Sequence, residues 1–171
     1  SAIDMQTAAP KFAVKDIRTK DIRVYCFVCT GNTCRSPMAA ALFNKIAIKR
    51  GLDVRIESAG LFAAEGEPAS SEAVIAMKKY DIDLLGHHAQ PINSELLEKS
   101  DLILTMTAAH KMVLEPSAQG KVFTLCEYAG IDCDIDDPYG GDAEEYEECA
   151  KQLYDALEKV ADRIESDTHN T

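Results

Sequence analysis

Residues 24–43 join a strand-like pattern to a helix-like pattern through one short polar loop. Residues 22–28 form an apolar run rich in strand-forming side chains. The loop is followed by Ser36, a preferred helix N-cap residue, and by Pro37, which is favoured at the first helical position. Gly51 stands just after the basic end of the helical pattern. This order is typical of the first half of a βαβ unit, so it predicts a parallel sheet.

The same alternation continues along the chain. Strand-like runs occur at residues 22–28, 54–57, 101–106 and 121–126, and helical patterns occur at residues 37–50, 70–80 and 143–165. The sequence therefore predicts an α/β fold, a single three-layer domain with a central parallel sheet of about four strands and helices on both faces. The 171 residues suffice for one domain, which we expect at residues 21–171 after an N-terminal extension at residues 1–20.

The formal net charge of −11 limits the classes of partner that the protein could bind. Binding to nucleic acid or to an anionic membrane depends on Lys and Arg, so we expect neither partner. No apolar run approaches the roughly 20 residues that span a bilayer, and the N-terminal residues lack the apolar core of a signal peptide. We therefore expect a cytoplasmic protein with six reduced cysteines, of which Cys26, Cys126 and Cys149 are small core residues.

Cys29 and Arg35 stand at the two ends of the loop that follows the first predicted strand. In a parallel α/β sheet, ligands bind at the carboxyl ends of strands, beside helix N-termini. A loop that curls there directs successive backbone N–H groups at one point, and the helix N-terminus and the Arg35 guanidinium add further donors. These donors suit a phosphate dianion. The same positive field favours the thiolate of Cys29, which is the nucleophilic form of cysteine.

The segment VCTGNTCRSP at residues 28–37 resembles the signature of the low-molecular-weight protein tyrosine phosphatases. The resemblance extends to residues 57–60, 84–87, 101–106 and 136–139, so it covers the chain from about residue 22 to residue 165. It implies an enzyme that forms a phosphocysteine on Cys29 and acts on phosphorylated proteins. Inorganic phosphate or another oxyanion would also bind in the loop. We expect no metal and no cofactor.

The resemblance also implies a role for each residue of the loop. The phosphate-binding residues would be Thr30, Gly31, Asn32, Thr33, Cys34 and Arg35. Asn32 and Ser36 would hold the loop and assist the thiolate. Ser58 and His87 occupy the family positions of a supporting hydrogen-bond network.

A departing alkoxide, phenoxide or guanidine needs a proton, so such an enzyme also requires an acid. The family's acid is the Asp directly before a proline, which is Asp137 before Pro138 in this sequence. Asp136 is the neighbouring alternative.

Two features favour phosphoarginine over phosphotyrosine as the substrate. Thr33 stands where the resembling tyrosine phosphatases often have a bulky aliphatic residue, and Tyr139 is the only aromatic residue in a stretch that can carry two. Both features resemble the bacterial protein arginine phosphatases. Thr33 would leave room for a flat guanidinium, and Tyr139 would form one wall. A phosphotyrosine phosphatase of the same family is the alternative.

The remaining cysteines suggest redox chemistry. Cys34 would trap an oxidised Cys29 as a reversible disulfide before irreversible oxidation. Cys126 and Cys133 leave open an arsenate reductase, which can share this fold and relays a disulfide from its nucleophile, although its thiol pair is expected further upstream. A non-catalytic phosphate-binding module is disfavoured because a nucleophile, an arginine and an acid are all present.

Overall fold

The computed structural model describes residues 22–169, so the predicted extension at residues 1–20 lies outside the described residues. The strands are β1 (Arg23–Cys29), β2 (Val54–Gly60), β3 (Leu102–Thr105) and β4 (Val122–Thr124). The α-helices are α1 (Arg35–Arg50), α2 (Ser71–Lys78), α3 (Ser94–Lys99), α4 (Ala108–Leu114), α5 (Leu125–Ala129) and α6 (Ala143–His169). In this part of the chain, no helix has both the length and the apolar character that crossing a bilayer requires.

The four strands form one parallel sheet in the order β2-β1-β3-β4. In the central strand, Tyr25 lies opposite Ile56 on one side and Leu102 on the other. Cys29 pairs with Gly60, so β1 and β2 end together at one edge of the sheet. This edge is where a parallel sheet presents its loops and helix N-termini to a ligand.

Alternate residues of β1 supply two separate cores. Tyr25 and Phe27 belong to a large cluster that includes buried residues of α1, α2, α5 and α6. Cys26 and Val28 point to a smaller cluster on the other face, with Leu96 of α3 and other residues. Because successive strand residues face opposite sides, a strand segment buried on both faces must be apolar throughout, as residues 24–29 of β1 are. Helices thus cover both faces, and the predicted three-layer α/β fold is confirmed.

Two local predictions are wrong. Ser36 is not the N-cap of α1, because the helix begins at Arg35 with Cys34 as its N-cap and the Ser36 hydroxyl accepts a hydrogen bond from Asn32. Cys126 lies in α5 rather than in a strand. A capping box starts that helix, since Thr124 Oγ1 accepts from the N–H of Glu127 and a carboxylate oxygen of Glu127 accepts from the N–H of Thr124.

Candidate active site

The loop between β1 and α1 forms a cradle, which we define as residues 29–35. The strand ends at Cys29 and the helix begins at Arg35, and both side chains are buried, with 3% and 4% of their surface exposed. Among the described residues, none accepts a hydrogen bond from the backbone N–H groups of residues 31–34. Buried or half-buried backbone donors without partners are costly, so this arrangement suits an anion.

Arg35 adds the strongest donors to the cradle. Its Nη1 donates to the carbonyl oxygen of Ile135 at 2.9 Å, and its Nη2 lies 3.4 Å from Oδ2 of Asp137. Its Nε is buried and has no hydrogen-bond partner within the described part of the chain. One edge of the guanidinium is therefore fixed by the segment that carries Asp137, while a buried N–H remains available to an oxyanion.

The nucleophile candidate is part of a short hydrogen-bonded chain. Cys29 Sγ lies 2.9 Å from Ser36 Oγ. Asn32 Nδ2 donates to Ser36 Oγ at 2.7 Å and to Ser58 Oγ at 3.0 Å. Since Ser36 Oγ accepts the Asn32 N–H, its own proton has two acceptors within reach, the nearby Cys29 Sγ and the Ala59 carbonyl oxygen at 3.4 Å. A hydroxyl that donates to sulfur stabilises the thiolate.

The structure brings the predicted supporting residues Ser58 and His87 together at Asn32. Asn32 adopts a left-handed backbone conformation with φ of 57°, which Asn tolerates better than most residues. His87 Nε2 donates to the Asn32 carbonyl oxygen at 2.7 Å. Burial lowers the pKa of His87, so the neutral ring is favoured. Gln90, which the sequence did not reveal, donates its backbone N–H to Asn32 Oδ1 at 2.9 Å and its side-chain amide to the Ser58 carbonyl.

Gly60 permits the close approach of β2 to the cradle. A Cβ atom at this position would lie 2.6 Å from the carbonyl oxygen of Thr30 and 2.9 Å from the backbone nitrogen of Asn32. Both neighbours are backbone atoms, which cannot rotate away. Gly60 therefore determines the path of the cradle. The sequence resemblance included this residue, but no pattern indicated the contact.

His110 of α4 is a further neighbour of the cradle that sequence reasoning missed. Its Nε2 lies 2.9 Å from the hydroxyl of Thr30, the residue after the nucleophile candidate. The imidazole is buried, and its Nδ1 has no hydrogen-bond partner among the described residues. Burial and, secondarily, the positive charge of Arg35 lower the pKa of His110. His110 therefore presents a neutral ring to the first turn of the loop.

Asp137, rather than Asp136, is the carboxylate that approaches the cradle. Its Oδ2 is the atom close to Arg35, and its Oδ1 accepts from the backbone N–H of Tyr139 at 3.1 Å. The side chain is half exposed, so solvent reaches it. Pro138 is buried and begins a turn in which its carbonyl accepts from the N–H of Gly141. An acid at the mouth of an anion site can protonate a leaving group there.

Two exposed aromatic side chains lie close to the site, one in a segment that is hydrogen-bonded to the cradle and one in the segment that follows Asp137. Tyr139, predicted as a substrate wall, is 76% exposed and follows Asp137 by two residues. Phe62, which the sequence analysis did not single out, is 80% exposed, and its backbone N–H donates to the Thr30 carbonyl at 2.9 Å. An exposed aromatic residue at a loop edge is a usual element of ligand recognition.

Cys34, the predicted redox partner of Cys29, points toward α6. Its Sγ lies 3.2 Å from the hydroxyl of Tyr146 and 3.5 Å from that of Ser70. All six cysteines are free thiols. The protective disulfide between Cys29 and Cys34 stays a prediction. In the described part of the chain, no group of three or more His, Cys, Asp or Glu side chains could hold a metal ion.

The chain is similar over nearly its whole described length to known proteins. The profile of the family described as "Low molecular weight phosphotyrosine protein phosphatase" matches residues 24–170. A protein-arginine-phosphatase of Bacillus subtilis is 43% identical over 82% of this chain and 96% of its own length. The low molecular weight protein-tyrosine-phosphatase PtpB of Staphylococcus epidermidis is 40% identical over 78% of this chain and 94% of its own length.

Solved structures agree with the fold. A cysteine-to-serine mutant of the YwlE arginine phosphatase, described as having a phosphorylated active site serine, superimposes with a TM-score of 0.81. It is 41% identical, and the match covers 84% of this chain and 97% of that one. The Wzb protein of Vibrio vulnificus in complex with benzylphosphonate is 28% identical with a TM-score of 0.76 over 82% and 98% of the two chains.

Proposed function

The chain belongs to the low molecular weight phosphotyrosine protein phosphatase family and is a phosphatase, and from this premise we propose that it hydrolyses protein phosphoarginine through a phosphocysteine on Cys29. The observation that carries the mechanism is the buried cradle. It combines backbone N–H groups without partners, the unpartnered Nε of Arg35 and a thiol within hydrogen-bond distance of Ser36. The same loop thus binds an oxyanion and activates a nucleophile.

In the first step, the Cys29 thiolate attacks phosphorus while the phosphoryl oxygens lie against the cradle amides and Arg35. The S–P bond forms and the bond from phosphorus to the leaving group breaks. Asp137, protonated at this stage, gives its proton to the departing nitrogen of the guanidine. The Arg35 guanidinium stabilises the charge on the equatorial oxygens, as fixed donors do in phosphoryl transfer.

In the second step, water attacks the phosphocysteine. The Asp137 carboxylate accepts a proton from that water, the O–P bond forms, and the Cys29 thiolate leaves. Ser36, held by Asn32, donates to the sulfur as its negative charge returns. Inorganic phosphate is released and Asp137 is again protonated, so the cycle is balanced.

The preference for phosphoarginine rests on Thr33 and on the charge beside Asp137. Thr33 lies in the cradle and is partly buried, and its backbone carbonyl accepts from the N–H of Ser70 at 3.0 Å, which fixes its position. A cleft next to the acid is lined by the carboxylates of Asp136, Asp137, Glu144, Glu145 and Glu148. Such a negative field favours a guanidinium group over a neutral phenyl ring. The 43% identity to a protein-arginine-phosphatase agrees with this preference.

Phosphotyrosine is the second candidate substrate. The exposed rings of Phe62 and Tyr139 would suit a phenyl group, and the relative PtpB is named a protein-tyrosine-phosphatase. The two substrates are distinguished by measuring kcat/KM on two peptides of the same sequence, one with phosphoarginine and one with phosphotyrosine. We expect the phosphoarginine peptide to be the better substrate by at least about tenfold. A small aryl phosphate serves only to show that each enzyme sample is active.

The two outcomes of this comparison separate the parts of the proposal. A preference for phosphotyrosine would refute the arginine assignment and leave the phosphocysteine mechanism in place. Turnover of both peptides by a Cys29→Ser variant would instead refute the mechanism.

A further inference from the structure

Two thiols outside the cradle lie in contact at the base of the segment that carries the acid. Cys126 belongs to α5 and Cys133 follows that helix, and their Sγ atoms are 2.9 Å apart. Gly130 ends α5 in the left-handed conformation with φ of 79°, and Ile131 donates its N–H to the Cys126 carbonyl at 2.8 Å. This C-terminal turn reverses the chain and brings Cys133 back to Cys126.

The two thiols differ in their exposure to solvent. Cys133 is exposed, whereas Cys126 is only 1% exposed. Burial and the hydrogen bond to Cys133 raise the pKa of Cys126 to about 12, so its S–H persists and donates toward Cys133. Gln152 of α6 also directs its side-chain N–H at Cys133 Sγ, at 3.8 Å. Cys133 is thus the thiol that an oxidant meets first, and Cys126 is in position to resolve the product.

Cys133 begins the segment 133–137 that leads to Asp137. Asp134 accepts from the N–H of Ala108 at the start of α4, at 3.1 Å. Ile135 is fully buried, its N–H donates to the Met106 carbonyl at 3.0 Å, and its own carbonyl accepts from Arg35. A covalent link at Cys133 would therefore restrain the segment at its start, while Ile135 holds it in the middle.

We propose that Cys126 and Cys133 form a redox-active dithiol, separate from the cradle thiols, whose reversible disulfide restrains the segment that carries Asp137. A peroxide is the oxidant. The Cys133 thiol loses its proton as its sulfur attacks one peroxide oxygen, the O–O bond breaks, the departing hydroxide takes up that proton, and a sulfenic acid and water form. Cys126 sulfur then attacks the Cys133 sulfur, its proton leaves with the hydroxide as a second water, and the S–S bond forms.

Overall, two thiols and one hydrogen peroxide give one disulfide and two waters. Two equivalents of a small thiol reverse it and become oxidised themselves. A disulfide bond is about 2.05 Å long, so closing the present gap needs a shift of less than about 1 Å. The bond between Arg35 and the Ile135 carbonyl is therefore retained, and the oxidised protein keeps its cradle.

The test uses the full chain with Cys29→Ser, so that the nucleophile candidate cannot be oxidised. After treatment with one equivalent of hydrogen peroxide, non-reducing peptide mapping should find Cys126 linked to Cys133. The link should be absent from the same chain with Cys133→Ser, a change at an exposed position that the fold tolerates. It should persist with Cys149→Ser, which removes a buried thiol of α6 that lies outside the pair. Dithiothreitol should restore both free thiols.

The restraint is measured by amide hydrogen exchange at Ile135, which should slow by at least about tenfold in the oxidised protein. The Cys133→Ser chain should show no such change on peroxide treatment. Mapping that links Cys133 to Cys149 or to a second chain, or that finds only sulfinic acid at Cys133, would overturn the dithiol. A Cys126–Cys133 disulfide that leaves exchange at Ile135 unchanged would overturn its effect on the acid segment.

Discussion

Nη2 of Arg35 lies 3.4 Å from Oδ2 of Asp137, and this contact joins the cradle to the proposed acid. Arg35 is buried, but the Asp137 side chain is half exposed. Water can hydrate the half-exposed carboxylate when it leaves Arg35, and a phosphate dianion that arrives supplies the opposite charge that the buried guanidinium needs. An incoming phosphate can therefore displace the carboxylate from Arg35 at small cost. In the proposed mechanism, the carboxylate then lies at the mouth of the cradle, where the leaving group departs.

Replacing Asp137 by Asn should reduce turnover according to the leaving group. On phenyl phosphate, whose phenoxide leaves poorly, we expect kcat/KM, which reports the steps up to departure of the leaving group, to fall by about 100-fold or more, because the leaving oxygen departs without a proton. On p-nitrophenyl phosphate, whose leaving group needs little protonation, kcat/KM should fall several-fold less. The measurement is a series of aryl phosphates of different leaving-group pKa. Asp136→Asn is the matched control and should resemble wild type. If Asp136→Asn shows the leaving-group dependence instead, Asp136 is the acid.

Replacing Cys29 by Ser should abolish turnover while the fold is retained. An alcohol in the same hydrogen-bonded position stays protonated and is a poor nucleophile at neutral pH. We expect kcat to fall by at least about a thousandfold. Circular dichroism should match wild type, and inorganic phosphate should still protect the variant against thermal unfolding because the cradle amides and Arg35 are unchanged. Substantial turnover by the purified variant would contradict the assignment of the nucleophile.

The sheet and the cradle could be predicted from the sequence because each rests on a local pattern. β1 is apolar from residue 24 to its end, where the cradle begins, and the first helical turn follows within a few residues. Short elements were harder to predict. α3 and α4 have six and seven residues, which is too short to establish a clear helical period.

The residues that surround the cradle could not be found from such patterns. Gln90 and His110 reach the loop from sequence separations of 58 and 80 residues, and each is an isolated polar residue in its own segment. Phe62 is an exposed aromatic residue whose role depends on the path of the backbone beside Thr30. Only tertiary structure brings these residues to the loop. The prediction that Ser36 caps α1 is wrong for a related reason, because its hydroxyl is hydrogen-bonded to Asn32 and Cys29 rather than to the helix N-terminus.

Replacing Gly60 by Ala should damage the cradle without touching a catalytic group. The added methyl would lie 2.6 Å from the Thr30 carbonyl, so backbone must move. A displacement of about 1 Å at a reacting group can cost about 100-fold in rate, and we expect kcat/KM on an aryl phosphate to fall by at least about tenfold. Gly86→Ala is the matched control, since a Cβ there meets nothing within 4 Å. Equal activity of the two variants would show that the cradle adapts to the methyl group.

Stability should fall as the pH falls below about 6.5, the ordinary pKa of His. Burial lowers the pKa values of His87 and His110 in the folded protein, and Arg35 lowers that of His110 further. Below pH 6.5 the unfolded chain therefore binds more protons than the folded chain, so the free energy of unfolding decreases with decreasing pH. Urea unfolding at several pH values between 7.5 and 5.5 measures the slope of the free energy of unfolding against pH.

The slope should be shallower in His87→Gln and in His110→Gln. A wild-type slope in both variants would mean that other groups cause the pH dependence.

Thr33 should determine the choice between phosphoarginine and phosphotyrosine. Thr33→Ile adds about one methylene group and removes the hydroxyl, whereas Thr33→Val removes the hydroxyl at nearly constant volume. Discrimination of shape on this scale is typically worth about 1–3 kcal/mol, or 10–200-fold in kcat/KM. We expect Thr33→Ile to lower the ratio of phosphoarginine to phosphotyrosine turnover by at least about tenfold, measured on matched peptides.

Thr33→Val should change the ratio less if size is decisive, and by the same factor if the hydroxyl binds the guanidinium. The cradle amides, Cys29 and Arg35 are unchanged in both variants, so turnover of p-nitrophenyl phosphate is the internal control. An unchanged ratio in Thr33→Ile would show that Thr33 has no part in substrate choice.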